Sequence, residues 1–100
     1  MTKVALYVEL KAKAGKEEEV AALLKNAEGL VEEEPETVAW FAVRFDQHTF
    51  AIFDAFDSES GREAHLKGRV AATLMSRADE LLQTPPQIKS PDVLADRLPG

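Results

Sequence analysis

The chain has 100 residues, of which 45% are hydrophobic and 30% are charged, and it contains no cysteine. A composition of this kind is typical of one globular domain, so we expect residues 1–100 to form a single domain. The lack of cysteine excludes disulfide bonds and thiolate metal sites. The formal net charge of −6 argues against nucleic acid as a partner, because phosphate backbones attract basic surfaces.

The beginning of the chain shows no sign of export or membrane insertion. Residues Met1–Val4 lack the long apolar run of a signal peptide, and no segment approaches the length of a membrane span. We therefore expect a cytoplasmic protein without a membrane partner.

The first part of the chain predicts a strand and then a helix. Apolar residues recur at helical spacing from Lys16 to about Glu33, and Pro35 ends the helix. The acidic runs 17–19 and 32–34 are interpreted as solvated faces. In the strand before the helix, residues 4–10, alternation places on one face Val4, Leu6, Val8 and Leu10.

Two stretches rich in aromatic and β-branched residues predict a β-hairpin, with strands over 37–45 and 50–56. We expect Phe45 to lie opposite Phe50 across the four-residue loop. This pairing would place Phe41 beside Asp54 and on the same face. A slip of one residue would exchange the two faces of the second strand, because side chains alternate along it.

The remainder of the chain predicts two helices and a short last strand. Ser58 is a natural N-cap for the first helix, and Ser60 with Glu63 is an alternative capping box. This helix runs to about residue 67 and a longer one covers 69–83. A short strand at 87–89 follows, with prolines that suit a sheet edge. We expect the tail, residues 92–100, to be frayed or docked on a partner subunit.

The predicted order β-α-β-β-α-β indicates an α+β, ferredoxin-like fold, with an antiparallel sheet and helices on one face. The opposite face would carry Tyr7, Trp40 and Phe53, which together are too apolar to remain in contact with water. We therefore expect a homodimer in which the sheets pack against each other through these three residues.

The chain also resembles a known family, the antibiotic biosynthesis monooxygenase domains of the dimeric α+β barrel superfamily. The resemblance covers almost the whole chain and is most specific over 53–65 and 81–88. The usual tryptophan at the end of the third strand is replaced by Phe56, and Gly68–Arg69 stands where a Ser-Pro pair is common. The residues that fit the family pattern are Asp54, Ser58, Gly61, His65, Pro85 and Pro86.

The resemblance implies a pocket between sheet and helices that binds a small quinol-type or polyphenol ring. Characterised relatives oxygenate such rings with O₂ and without flavin, haem or metal, so we expect no cofactor. The physical requirements are a dry pocket, an oriented ring and a base that removes a phenolic proton.

Within this interpretation, His65 is the candidate base or hydrogen-bond donor, since its ordinary pKa lies near neutrality. Asp54 would orient His65 or bind a substrate hydroxyl, and Phe56 would stack on the ring. The alternatives are that His65 bonds backbone at a helix end, that Asp54 is a structural partner, and that Phe56 is core. The expected substrate-binding residues are Leu6, Val8, Phe41, Ile52 and Phe56.

Other functions of related folds fit less well. Haem-degrading relatives use an asparagine, a tryptophan and a late histidine, where this chain has Val8, Phe56 and no histidine after His65. His48 is expected to be solvated in a turn, and no metal site is predicted because no second ligand stands at ligand spacing from either histidine. The alternative function is a dimeric small-molecule-binding or stress-response module without catalysis, since fold alone does not decide activity.

Overall fold

A computed structural model describes residues 1–99. The strands form one antiparallel sheet in the order β2-β3-β1-β4. This is the α+β, ferredoxin-like arrangement predicted from the sequence. The elements are β1 (Val4–Lys11), α1 (Glu17–Val31), β2 (Thr37–Arg44), β3 (Thr49–Phe56), α2 (Glu59–Leu66), α3 (Arg69–Leu81) and β4 (Gln87–Lys89).

The centre of the sheet is the pair β1–β3, which runs without interruption from Val4 opposite Phe56 to Lys11 opposite Thr49. Alternation turns every second side chain of both strands toward the helices. The core lies between these two strands, α1 and α3, and burial of its apolar area is the main source of stability. Its buried members are Val8, Leu10, Ala12, Val20, Leu24, Phe50, Ile52, Ala78, Leu81 and Leu82.

The predicted pairing of β2 with β3 was wrong by one residue. Arg44, not Phe45, lies opposite Phe50, and the hairpin loop begins one residue earlier than expected. The cause is the Asp46 side chain, whose Oδ1 accepts hydrogen bonds from the backbone N–H groups of His48 (2.9 Å) and Thr49 (2.8 Å). Such a side-chain bond to nearby backbone sets the turn independently of the strands' apolar pattern.

This slip exchanges the faces of β2. Trp40 lies opposite Asp54 and points toward the helices, so its predicted place on the face without helices was wrong. Phe41 lies opposite Phe53 on the other side of the sheet, so its predicted place beside Asp54 was wrong as well. A bulge between Thr37 and Ala39 then restores the faces at the start of the strand.

The helix boundaries follow local chemistry. The Ser58 hydroxyl accepts a hydrogen bond from the Gly61 N–H at 3.3 Å, so Ser58 is the N-cap of α2, as predicted. Gly68 has an extended backbone and separates α2 from α3. Gly15 turns the chain before α1 with a φ of +85°, a conformation that glycine adopts without strain.

The tail binds the chain's own N-terminal residues as far as Asp96. The Val93 N–H bonds the Lys3 carbonyl at 2.9 Å, and Asp96 Oδ2 accepts bonds from the backbone N–H and hydroxyl of Thr2. These bonds extend the edge of the sheet beyond β4. Docking of the tail on a partner subunit stays a prediction.

The face of the sheet that carries no helix is largely apolar. Tyr7, Phe53 and Phe41 lie side by side across β1, β3 and β2. Phe53 is 39% exposed and Phe41 is 54% exposed. Among residues 1–99, none of the helices combines the length and the apolar character needed to cross a bilayer.

Candidate active site

Three ionisable side chains from different parts of the chain meet between the sheet and the helices. His65, on α2, lies between Asp54 of β3 and Glu34 of the turn after α1. Its Nε2 is 2.9 Å from Asp54 Oδ2 and its Nδ1 is 2.5 Å from Glu34 Oε1. We call these residues the Asp54–His65–Glu34 cluster. The exposed fraction of the side chain is 1% for Asp54, 7% for His65 and 18% for Glu34.

The close approach of α2 to the sheet places His65 over Asp54. The approach depends on Gly61, because a Cβ at that position would lie 3.3 Å from Glu36 Cβ and 3.5 Å from Phe56 Cβ. Phe56 itself is fully buried, and its ring centroid is 5.5 Å from that of His65 at a tilt of 45°. Phe56 therefore supports the imidazole by packing against it.

The cluster favours the charged form of the histidine. Burial of the imidazole opposes its charge, but close contacts with the carboxylates of Asp54 and Glu34, and their negative charges, outweigh burial and raise the pKa of His65 above its ordinary value. An imidazolium between two carboxylates leaves the cluster with a net negative charge. Both ring nitrogens face carboxylates, so neither is free to bond a ligand in this arrangement.

The carboxylates retain capacity to accept hydrogen bonds. Within residues 1–99, Glu34 Oε2 and both oxygens of Asp54 are buried without a hydrogen bond of good geometry, the 2.9 Å contact with His65 being an ion-pair contact. Glu34 Oε1 also accepts a bond from the Thr37 hydroxyl at 2.9 Å. Buried acceptors that lack partners are rare in proteins and indicate a place for a water or a ligand group.

Glu34 was missed by the sequence interpretation, which placed the acidic run 32–34 on a solvated face. Glu32 and Glu33 are indeed exposed, while Glu34 turns inward toward His65. The available signal was Pro35, because the residue before a proline is disfavoured in helical conformation. The helix must therefore end near Glu34, which directs this side chain away from the helix surface.

The predicted substrate-binding residues do not surround an open pocket. Four of the five are packed into the core. Phe41, the fifth, is 54% exposed and contributes to the wall of a groove between α1 and β2. The exposed fractions of the four core residues are 1% for Leu6, 8% for Val8, 4% for Ile52 and 0% for Phe56.

A concave site lies instead between α1 and β2, and we call it the α1–β2 groove. Its volume is about 600 Å³, within the range of small-molecule sites. The Arg44 guanidinium lies 4.9 Å from the centroid of the Phe50 ring and contacts Glu18 at 3.1 Å. The lining comprises Glu18, Ala21, Leu24, Lys25, Glu28, Trp40, Phe41, Ala42, Val43, Arg44 and Phe50.

The groove and the cluster meet at Trp40. This residue lines the groove, and it is the cross-strand neighbour of Asp54. Directly opposed residues in an antiparallel pair have Cβ atoms about 4.5–5.5 Å apart. A ligand against Trp40 would therefore lie close to the buried negative charge. No group of three or more His, Cys, Asp or Glu in residues 1–99 is arranged to hold a metal ion.

Comparison with known proteins gives a relative and a fold family. Neither the scan against protein-family models nor the search of curated proteins gave a match. Among solved structures, the NE2512 protein of unknown function from Nitrosomonas europaea is 49% identical. The alignment covers 100% of this chain and 97% of that protein, with a TM-score of 0.98.

Two further solved structures share the fold at low identity. A candidate antibiotic biosynthesis monooxygenase from Nitrosomonas europaea is 17% identical, with 92% of this chain and 99% of that one covered and a TM-score of 0.81. Another from Chloroflexus aurantiacus is 14% identical, with coverage of 99% and 100% and a TM-score of 0.77. The chain therefore belongs to the family of the Nitrosomonas europaea NE2512 protein, and it shares its fold with these two candidate monooxygenases.

Proposed function

We propose that the protein is a small oxygenase that binds a quinol or other phenolic ring in the α1–β2 groove and oxidises it with O₂. The observation that carries the proposal is the buried, negatively charged Asp54–His65–Glu34 cluster beside Trp40, the residue that also lines the groove. The fold shared with candidate monooxygenases is consistent with this activity but does not specify it.

The proposed reaction requires only a base and a place to hold the ring. A carboxylate of the cluster accepts the phenolic proton, and the electron-rich anion transfers electrons to O₂. One oxygen atom forms a bond to a ring carbon, the O–O bond breaks, and the second oxygen leaves as water. A quinol becomes a hydroxyquinone and supplies all the electrons itself, so no separate reductant is consumed.

In this mechanism the protein contributes electrostatics and orientation. The imidazolium of His65 holds Asp54 and Glu34 in place and limits the repulsion between them. The apolar wall formed by Leu24, Trp40 and Phe50 would keep water from the ring. His65 thus acts through the carboxylates in this proposal, and one of them is the base.

The test is O₂ uptake by the purified protein with a panel of hydroquinones. Ala21 lines the groove, so Ala21→Phe should obstruct it and lower kcat/KM at least about tenfold, because the ring would lose its position. Ala22, the next residue on α1, is exposed and does not line the groove, so Ala22→Phe is the matched control. No uptake with any ring, or equal loss in both variants, would overturn the proposal.

A second candidate function is a binding module of the same fold without catalysis. The observation that favours it is the filled core at Leu6, Val8, Ile52 and Phe56, where the resemblance had implied a dry chamber. Trp40 is the only tryptophan and would report ring binding through its fluorescence. Binding without O₂ uptake would support this second function over the first.

We also propose that the protein is a homodimer whose sheets face each other. The correction of the β2 register changes the predicted contact residues from Tyr7, Trp40 and Phe53 to Tyr7, Phe41 and Phe53. These three side chains are adjacent on the face without helices, and a second copy of the chain would cover that face by two-fold symmetry.

A further inference from the structure

A second cavity adjoins the α1–β2 groove, and Trp40 lines both. Its volume is about 310 Å³, and it shares Trp40 and Glu28 with the groove. Its remaining lining residues come from the end of α1, the following turn and the start of β2. They are Val31, Glu32, Glu34, Thr37, Val38 and Ala39.

Two buried polar atoms without hydrogen-bond partners belong to residues that line this cavity. One is a donor, the indole Nε1–H of Trp40, and the other is an acceptor, Glu34 Oε2. Leaving a buried donor or a buried acceptor without a partner costs about 1–3 kcal/mol of folding free energy for each group. Because both residues line the same cavity, a single group placed there that bonded both atoms would remove both penalties.

A hydroxyl group has the required chemistry, since it accepts one hydrogen bond and donates another. From these residues we infer that the second cavity is a subsite for the hydroxyl of a phenolic ring. The hydroxyl accepts a bond from Trp40 Nε1–H and donates its proton toward Glu34 Oε2. The choice of a phenolic ring as the ligand rests on the proposed function; the two polar atoms do not depend on it.

This subsite also decides between the two carboxylates as the base. Glu34 lines the second cavity, whereas Asp54 does not line it and is only 1% exposed. The phenolic proton therefore passes to Glu34 Oε2, and Glu34 is the catalytic residue. Asp54 is a positioning residue, which acts on Glu34 through the imidazolium of His65.

Binding under anaerobic conditions tests the subsite, because oxygenation cannot then interfere. Hydroquinone and its dimethyl ether, 1,4-dimethoxybenzene, present similar rings, but only hydroquinone can donate a hydrogen bond. With Trp40 fluorescence as the readout, we expect hydroquinone to bind about tenfold more tightly, which is the typical effect of one hydrogen bond to a charged acceptor.

Variants locate this preference. Glu34→Ala should remove it, while Glu32→Ala should retain it, because Glu32 lines the same cavity but is exposed. Trp40→Phe keeps an aromatic ring without the N–H and should weaken binding of both rings, because hydroxyl and ether oxygens both accept that bond; calorimetry measures this because the fluorophore is lost. Equal affinity of the wild-type protein for both rings, binding of neither ring, or a preference that persists in Glu34→Ala would overturn the subsite.

The outcomes separate this inference from the proposed function. A preference for hydroquinone without any O₂ uptake would support the subsite and overturn the oxygenase. O₂ uptake without a preference for the hydroxyl would leave the oxygenase and overturn the subsite.

Discussion

The helix-covered side of the sheet has two unlike halves. Over β1 and β3 the side chains are large, apolar and almost completely buried, as at Leu10, Phe50 and Phe56. Over β2 the side chains facing the helices are a tryptophan, an alanine and an arginine, and a groove of about 600 Å³ remains beneath α1. One sheet face therefore provides both a solid core and an open site.

The composition of the strands explains the difference. Ala42 lies between Trp40 and Arg44 on the helix-facing side of β2 and is too small to reach α1. Arg44 is held at the far end by Glu18 and by the carbonyl of Gln47 at 3.1 Å, so its side chain does not fill the space. Ala21 of α1 opposes this gap with another small side chain. The groove thus results from two small side chains, Ala21 and Ala42, that face each other across it.

The Asp54–His65–Glu34 cluster lies at the boundary between the two halves. Asp54 belongs to the packed half, where it is 1% exposed, and its neighbour across the strands is Trp40 of the open half. Burying charged groups costs free energy, whereas well-packed apolar groups in the same place would not carry that cost. The packed half over β1 and β3 therefore contributes most of the stability, and the open half over β2 provides the space in which a ligand can bind.

The largest effect should come from the packed half. Phe56→Ala removes a fully buried ring that contacts His65, and we expect a loss of about 3–5 kcal/mol in the free energy of unfolding, since a cavity remains. Met75 is 54% exposed on α3, so Met75→Ala should cost less than about 1 kcal/mol. Urea unfolding measures both; similar losses would contradict the packing role assigned to Phe56.

The boundary should respond to pH. The pKa of His65 is raised in the folded protein, so its contribution to stability is complete below the ordinary pKa and is lost as pH rises through the raised value. Asp54→Asn removes one of the two carboxylates that contact His65, and we expect the free energy of unfolding to fall by about 2–4 kcal/mol. The difference from wild type should be largest below about pH 6.5 and should shrink above it.

Urea unfolding between about pH 6 and pH 9 measures this dependence, and an imidazole titration by NMR should place the pKa of His65 lower in Asp54→Asn than in wild type. Asp57 is exposed just beyond the same strand, so Asp57→Asn is the matched control and should change neither quantity. A free-energy difference that stays constant with pH would contradict the ion-pair role of Asp54.

The sequence was sufficient for the order of elements, because each is specified by local patterns: alternation in β1, helical spacing in α1, and the Ser58 cap of α2. It was not sufficient for the relative position of neighbouring strands. The apolar residues of β2 occur on both faces, so their pattern allowed two registers, and the choice was made by a side-chain bond of Asp46 within the loop.

The candidate site divides in the same way. Asp54 stands out in the sequence because it is an acid among aromatic residues, and His65 stands out because it is one of only two histidines. Glu34 does not stand out, because two other glutamates precede it and only the turn before Pro35 sends it inward. The groove also had no signal, since alanines mark a cavity only once the elements they face are known.

The register itself gives the smallest effect and the most direct test of which face of β2 is free. If the protein is a dimer through the face without helices, Phe41→Ala should weaken self-association about tenfold, because a large aromatic contact is lost. Trp40→Phe should leave the dimer dissociation constant unchanged, since Trp40 lies on the opposite face. Sedimentation equilibrium measures both constants. A larger effect from Trp40 than from Phe41 would favour pairing of Phe45 with Phe50. Trp40 would then face away from Asp54, and it could not connect the groove and the proposed subsite to the Asp54–His65–Glu34 cluster.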